Sequence, residues 1–452
     1  MSDASGVKGG RSFRARLARL ALWRQVLVGV ALGVTPVLQG CSTEGSSSSA
    51  GADTVTVVFK HGKLAGGSGA LGDLLREFEV RNPGVRVREE LLPASTDQQH
   101  QFYAMNLESE RTPFDLLAAD IIWVQEFAKA GWIRDVDHLL APEERDDYLQ
   151  AAIRAASFEG RLHAVPWYVD AGVLYYRRDL LERYGFSPPR TWSELVHVAR
   201  AVLGAEGDPA LKGFVWQGKQ YEGLVCVALE FIWGHGGSLA ADHAEEATAA
   251  LAFMRGLVGP GGVSPALVAT ADEEATRHLF GAGRAVFMRN WPYAWSLFQR
   301  EGSPVRGKVG MAPLPSLSGL ASSSVLGGWM LAIPSRAGHP REAGMLIRYL
   351  SEPDRQRSLT LRVGYQPARR SLYRDPAVLR ERPWLARLYP VFEAARPRPV
   401  TPYYLMLSQI LQPEQSAVVV GLKSPEAALA SARLQVSRIG DDPAAALTGA
   451  AP

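Results

Sequence analysis

The sequence predicts an α/β protein of two lobes, and three observations carry that prediction. Short β-branched or apolar runs suited to strands alternate with segments of helical period. The chain has 452 residues, 47% of them hydrophobic, enough for more than one domain core. Cysteines stand only at 41 and 226, so the fold has to be held by packing rather than by a disulfide framework.

The elements follow in order. Residues 54–60 (TVTVVFK) alternate and are β-branched, a strand. Residues 71–80 place Leu71, Leu74, Leu75 and Phe78 on one helical face, and Asn82-Pro83-Gly84 stops that helix. Residues 85–92 (VRVREELL) read as a second strand. A helix over 98–108, an apolar run at 114–119 ending in Asp120, and a helix over 123–130 closed by Gly131 come next. The same grammar continues through a strand at 173–176, a helix at 192–203 and a strand at 213–216. Beyond Pro265 the chain becomes helix-rich, with strands near 285–288 and 325–333. We find no internal repeat. The chain is expected to cross between lobes more than once, with one lobe from 54–168 and 290–333 and the other from 169–289 and 334–452.

The first 40 residues differ in kind. Arg11, Arg14, Arg16, Arg19 and Arg24 precede an uncharged apolar run of thirteen residues at 26–38. A basic segment before such a run is the pattern of a secretory signal, and thirteen residues fall short of the ~20 that span a bilayer. Leu38-Gln39-Gly40-Cys41 resembles the lipobox of bacterial lipoproteins. That resemblance implies cleavage before Cys41, lipid on its sulfur, and anchoring to the cell membrane facing the periplasm or the exterior. Residues 41–53, rich in Ser and Gly, suit a flexible tether. Residues 1–40 hold six basic residues and one acid, so a total net charge of +3 leaves −2 on the remainder. No basic surplus points to nucleic acid.

Two glycine motifs imitate phosphate loops. Gly67, Gly69 and Gly72 fit G-x-G-x-x-G before a helix, with Glu89 and Glu90 on the next strand, the layout of an NAD(P) site in an exported oxidoreductase. Six residues, however, separate the strand from the first glycine, where a dinucleotide site needs an immediate turn. The stretch at 213–220 (GFVWQGKQ) is one residue short of a P-loop, ends in Gln instead of Ser or Thr, and is crowded by Phe214, Val215 and Trp216. No H-E-x-x-H, C-x-x-C or G-x-S-x-G occurs and the nine histidines are scattered, so neither a metal nor another cofactor is expected.

Sugar-binding chemistry is better represented. Aromatic rings pack on the C–H faces of a sugar, while Asp, Asn and Arg take its hydroxyls. The chain offers this mixture at Asp120, at Pro166 to Asp170 (PWYVD), at Asn290 to Trp295 (NWPYAW), at Gly327-Gly328-Trp329 and at Arg396 to Tyr404 (RPRPVTPYY). Most of these lie at strand ends or turns, where open α/β sheets bind ligands.

These residues, with the stretches at 115–137, 164–185, 214–226, 283–296, 308–315, 326–334 and 398–412, resemble a family 1 extracellular solute-binding protein of the trehalose/maltose-binding branch. The resemblance implies a two-lobed periplasmic-binding-protein fold (type II) with a hinge, monomeric, closing on a disaccharide and docking on an ABC permease. It implies further that Asp120 and Asp170 accept sugar hydroxyls and that Tyr168 borders the cleft. Trp291, Tyr293 and Trp329 would stack on sugar rings, Gly328 would admit backbone close to the ligand, and Arg398 would donate to hydroxyls. The branch often has an acid after the first strand, whereas residues 61–68 here read HGKLAGGS. One ring contact, and with it strict trehalose specificity, is left open. An exported glycoside hydrolase is the enzyme alternative, with Asp120 and Asp170 as its carboxylate pair.

Overall fold

The computed structural model describes residues 54–64, 69–93, 95–319 and 322–439. The signal expected at 1–40, the tether at 41–53, Cys41 and Gly67 lie outside them.

The first lobe begins as its periodicity predicts. Strand β1 (Val55–Gly62) buries Val57 and Phe59 and is flanked in parallel by β2 (Val85–Leu92) and β3 (Leu116–Asp120). The helices Gly69–Arg81 and Thr96–Glu108 make the crossovers. Leu71, Leu74, Leu75 and Phe78 are the buried face of the first, and the chain leaves it through Gly84 at φ +96°. Asp115, just before β3, accepts from Val58 N at 3.0 Å and His339 N at 2.8 Å, tying the strand start to a later segment.

Strand β4 (Val165–Ala171) reaches the lobe's edge and, after the single residue Gly172, the chain continues as β5 (Val173–Arg177) in a second sheet. With β6 (Lys212–Val215), β7 (Ala285–Asn290) and β8 (Val309–Ala312) this sheet has the order β8-β5-β7-β6. The chain then returns. Strand β9 (Val325–Ala332) inserts antiparallel between β3 and β4. Two short strands, β10 (Gln366–Pro367) on β4 and β11 (Arg396–Pro397) on β9, complete the first sheet, whose order is β10-β4-β9-β3-β1-β2 with β11 beside β9. A third passage at 398–403 leads into the helix Tyr404–Val419, which packs on the second-lobe helix Glu222–Gly234.

The lobe boundaries therefore differ from those expected. Residues 290–312 belong with the second sheet, and 334–397 with the first. The reason is physical: β10 and β11 are two residues long, too short to show a period, and the first crossing is a single glycine that interrupts no pattern. Gly172 is required there, because a Cβ would lie 1.9 Å from Glu230 Oε1. Gly328 is required in β9, where φ is +143° and a Cβ would meet the Tyr168 carbonyl oxygen at 2.6 Å. The 213–220 stretch is no phosphate loop; Phe214, Val215 and Trp216 are buried at the end of a strand. Among the described residues no helix is long and apolar enough to cross a membrane.

Candidate ligand-binding cleft

The three passages between lobes bring the singled-out segments together. Asp120 ends β3 opposite Trp329 of β9, which in turn stands opposite Tyr168 of β4. Asp170, two residues further along β4, faces Gly327. A Cβ on Gly327 would sit 3.4 Å from Trp291 and 3.6 Å from Asp170 Cβ, so the bare backbone there lets Trp291 of the second lobe approach Asp170 of the first.

The polar geometry is specific. Asp120 Oδ1 accepts from Ile122 N at 3.2 Å and from Arg398 Nη2 at 3.1 Å. Arg398, 5% exposed in the third passage, also donates through Nη1 to Glu222 Oε1 at 2.9 Å. Burial pushes the Asp170 carboxyl up to about 8, opposed by Arg289 and reinforced by the Asp120 charge. Asp170 Oδ1 is shut away from solvent without a hydrogen-bond partner.

The aromatic groups differ in how they are held. Trp329 is half-buried with its ring edge-on to Trp123 at 5.7 Å. Tyr168 has one face occupied by Tyr365, stacked at 3.9 Å and 4°. Trp291 donates from Nε1 to Glu273 Oε1 at 3.3 Å, with the Arg289 guanidinium 4.0 Å from its ring centre. Tyr293 is half-buried, its hydroxyl donating to Glu274 Oε1 at 2.8 Å instead of into the group around Asp170.

Sequence reasoning missed the second-lobe wall behind these residues. Arg289 donates through Nε and Nη2 to Glu230 at 2.7 and 2.6 Å, and through Nη1 to Gln217 Oε1 at 3.2 Å. Glu230 also accepts from Val325 N at 3.2 Å. The available signal was two acids, Glu222 and Glu230, in the otherwise apolar helix EGLVCVALEFIWG, because buried acids are rare without partners. Tyr365 gave no such signal. The acids of the dinucleotide imitation are engaged elsewhere: Glu90 pairs with Lys60 and with Arg88 at 2.9 Å, and Glu89 lies 3.4 Å from His61 Nε2.

Comparison with known proteins fits this architecture. The family model for bacterial extracellular solute-binding proteins matches residues 62–357. The chain belongs to that family. A probable ABC transporter-binding protein of Deinococcus radiodurans is 36% identical over 373 residues, covering 80% of this chain and 88% of the relative. The maltose-bound structure of MalE3 from T. maritima superposes with a TM-score of 0.78 at 37% identity, covering 83% of this chain and 97% of that one. A solute-binding protein from Thermotoga lettingae bound with α-D-tagatose shares the fold, with a TM-score of 0.74 at 24% identity, over 83% of this chain and 97% of that one. A solute-binding protein serves transport, so the family also sets the hydrolase and oxidoreductase alternatives aside.

Proposed function

We propose that this solute-binding protein captures a disaccharide of the maltose or trehalose type by closing its lobes, then delivers it to an ABC permease. The observation that carries the reading is Asp170: a buried acceptor oxygen without a partner, beside Trp291 and close enough to Asp120 to feel its charge. In this reading Asp120 and Asp170 accept sugar hydroxyls and Arg398 donates to them. Trp329 and Trp291 offer faces, Tyr168 and Tyr293 border the cleft, and Gly328 lets backbone come near. The T. maritima protein, at 37% identity and bound to maltose, supports this sugar class.

Magnitudes require enclosure. A disaccharide of about 23 heavy atoms at roughly −0.3 kcal/mol each gives about −7 kcal/mol, a Kd near ~10 μM, which so polar a ligand reaches only when both lobes contact it. Calorimetry against maltose, trehalose, tagatose and mannitol tests the proposal. Binding of maltose or trehalose in the micromolar range supports it; a polyol or monosaccharide binding more tightly than both disaccharides overturns it. The protein acts as a monomer on a lipid anchor at Cys41, so Cys41→Ser moves it from the membrane to the soluble fraction. Retention of that variant in membranes removes the anchor from the reading.

A further inference from the structure

Arg398 touches both lobes, and the strengths of its two attachments are unequal. Toward the first lobe it makes a single bond to Asp120 Oδ1 at 3.1 Å, which that oxygen shares with Ile122 N. Toward the second lobe it binds Glu222 Oε1 at 2.9 Å, and Glu222 is itself fixed from several directions. Tyr404 donates its hydroxyl to Glu222 Oε1 at 2.6 Å, Ser408 donates to Oε2, and the Cys226 thiol lies 3.8 Å from Oε1. Tyr404 and Ser408 belong to the helix that the third passage feeds, and Glu222 begins the helix that it packs on. Residue 222 is 9% exposed, and the positive end of its helix favours the carboxylate there.

We infer that Glu222 is a positioning residue for ligand capture: it fastens Arg398 to the second lobe, so that the Asp120–Arg398 bond is the one made and broken as the lobes close and open. The inference rests on the proposed sugar-binding role of Asp120 and Arg398. When the lobes part, Arg398 leaves Asp120 because Glu222 offers a shorter bond inside a network of three further donors, whose separation would strand a buried charge. Closure then delivers a preoriented guanidinium, with its Nη2 edge toward the first lobe, at no further ordering cost. Glu222 touches no ligand in this scheme; it acts through Arg398.

A double-mutant cycle tests this. Glu222→Gln keeps the shape and removes the charge, and is expected to weaken maltose or trehalose binding at least about fivefold. In an Arg398→Met background the same substitution changes affinity less than twofold, because nothing remains to be positioned. Tyr404→Phe, a milder loss of one donor to Glu222, gives the same dependence on Arg398 should Glu222→Gln fail to fold. An equal loss in both backgrounds, or no loss in the native one, overturns the inference. Small-angle scattering of the sugar-free protein gives a readout that does not depend on the ligand's identity. Glu222→Gln and Asp120→Asn are both expected to enlarge the radius of gyration, and an unchanged radius in both overturns the clasp even if the sugar assignment itself fails.

Discussion

On the second-lobe wall, Glu230 receives two charge-assisted hydrogen bonds from Arg289 and a third from Val325 N. On the first-lobe side, at the end of β4, Asp170 lies within the field of the same arginine but leaves Oδ1 without a partner. Burial raises both carboxyls, and the Arg289 bonds work against that rise most directly at Glu230. Most buried polar groups in folded proteins are satisfied, so an unsatisfied one calls for an explanation, and at Asp170, beside Trp291, the proposed sugar supplies one. The comparison separates a braced acid from an unpartnered one: Glu230 ties Arg289 to Val325 beside the crossing, and Asp170 is the acid that the proposed function assigns to the sugar.

Removing the brace is the largest way to break this contrast. Glu230→Ala strands Arg289, 1% exposed, without its bidentate partner, and loss of one member of a buried pair costs about 3–5 kcal/mol. Denaturant unfolding of the sugar-free protein is expected to show that loss. A midpoint equivalent to less than about 1 kcal/mol of destabilisation contradicts the bracing role.

Asp170→Asn should do the opposite. It keeps the shape while replacing one acceptor oxygen by an NH2 donor, so sugar affinity falls at least about tenfold, roughly 1.4 kcal/mol, and the sugar-free fold is not weakened. The pH dependence follows from the raised carboxyl. Its folded value of about 8 lies above the ordinary 3.8, so the folded state holds this proton more tightly than the unfolded chain. That contribution to stability is fully present below about pH 4 and is lost as pH rises through about 8. In the sugar-free native protein the stability difference from Asp170→Asn is therefore expected to turn against the native chain between those values. A difference that stays flat across this window removes the burial argument, and a variant that melts lower yet binds normally makes Asp170 a second brace.

These two acids also show what the sequence makes visible. Asp170 was legible because it follows Pro166-Trp167-Tyr168 at a strand end, and Asp120 because it closes an apolar run. Glu230 and Glu222 stand out against the apolar helix that carries them, but their partners Arg289, Val325 and Arg398 come from segments at least 59 residues away, so the local sequence does not show what they bind. Local periodicity found β1, β2, β3 and the first helix within a residue or two, since each has its own buried face. It misassigned 290–312 and 334–397 because lobe membership there is set by two-residue strands and by a strand return, neither of which leaves a periodic trace.

Trp329→Ala tests the aromatic groups on the first-lobe side. The ring is half-buried against Trp123, so its loss removes some packing as well as the face that the proposed function assigns to the sugar. A stacking aromatic is worth about 0.5–1.5 kcal/mol beyond the area it buries. Sugar affinity is expected to fall more than about fivefold with a cooperative unfolding transition retained. Unchanged affinity in calorimetry makes Trp329 a packing residue.

The smallest effect is expected at Tyr293, and it sharpens the distinction between a group already satisfied and one still available. The Tyr293 hydroxyl donates to Glu274 Oε1 at 2.8 Å, and Arg277 Nε holds both oxygens of that carboxylate at 3.0 Å. A hydroxyl so engaged has nothing left to donate to a sugar, whereas the ring above it still offers a face. Tyr293→Phe therefore leaves affinity within about twofold and costs about 0.5–1.5 kcal/mol of stability for one lost hydrogen bond. Tyr293→Ala removes the face as well, and sugar binding weakens several-fold. If Phe and Ala lose affinity equally, the hydroxyl is the group the ligand uses, and the Glu274 bond must exchange on closure. If neither loses any, Tyr293 belongs to the rim and not to the site.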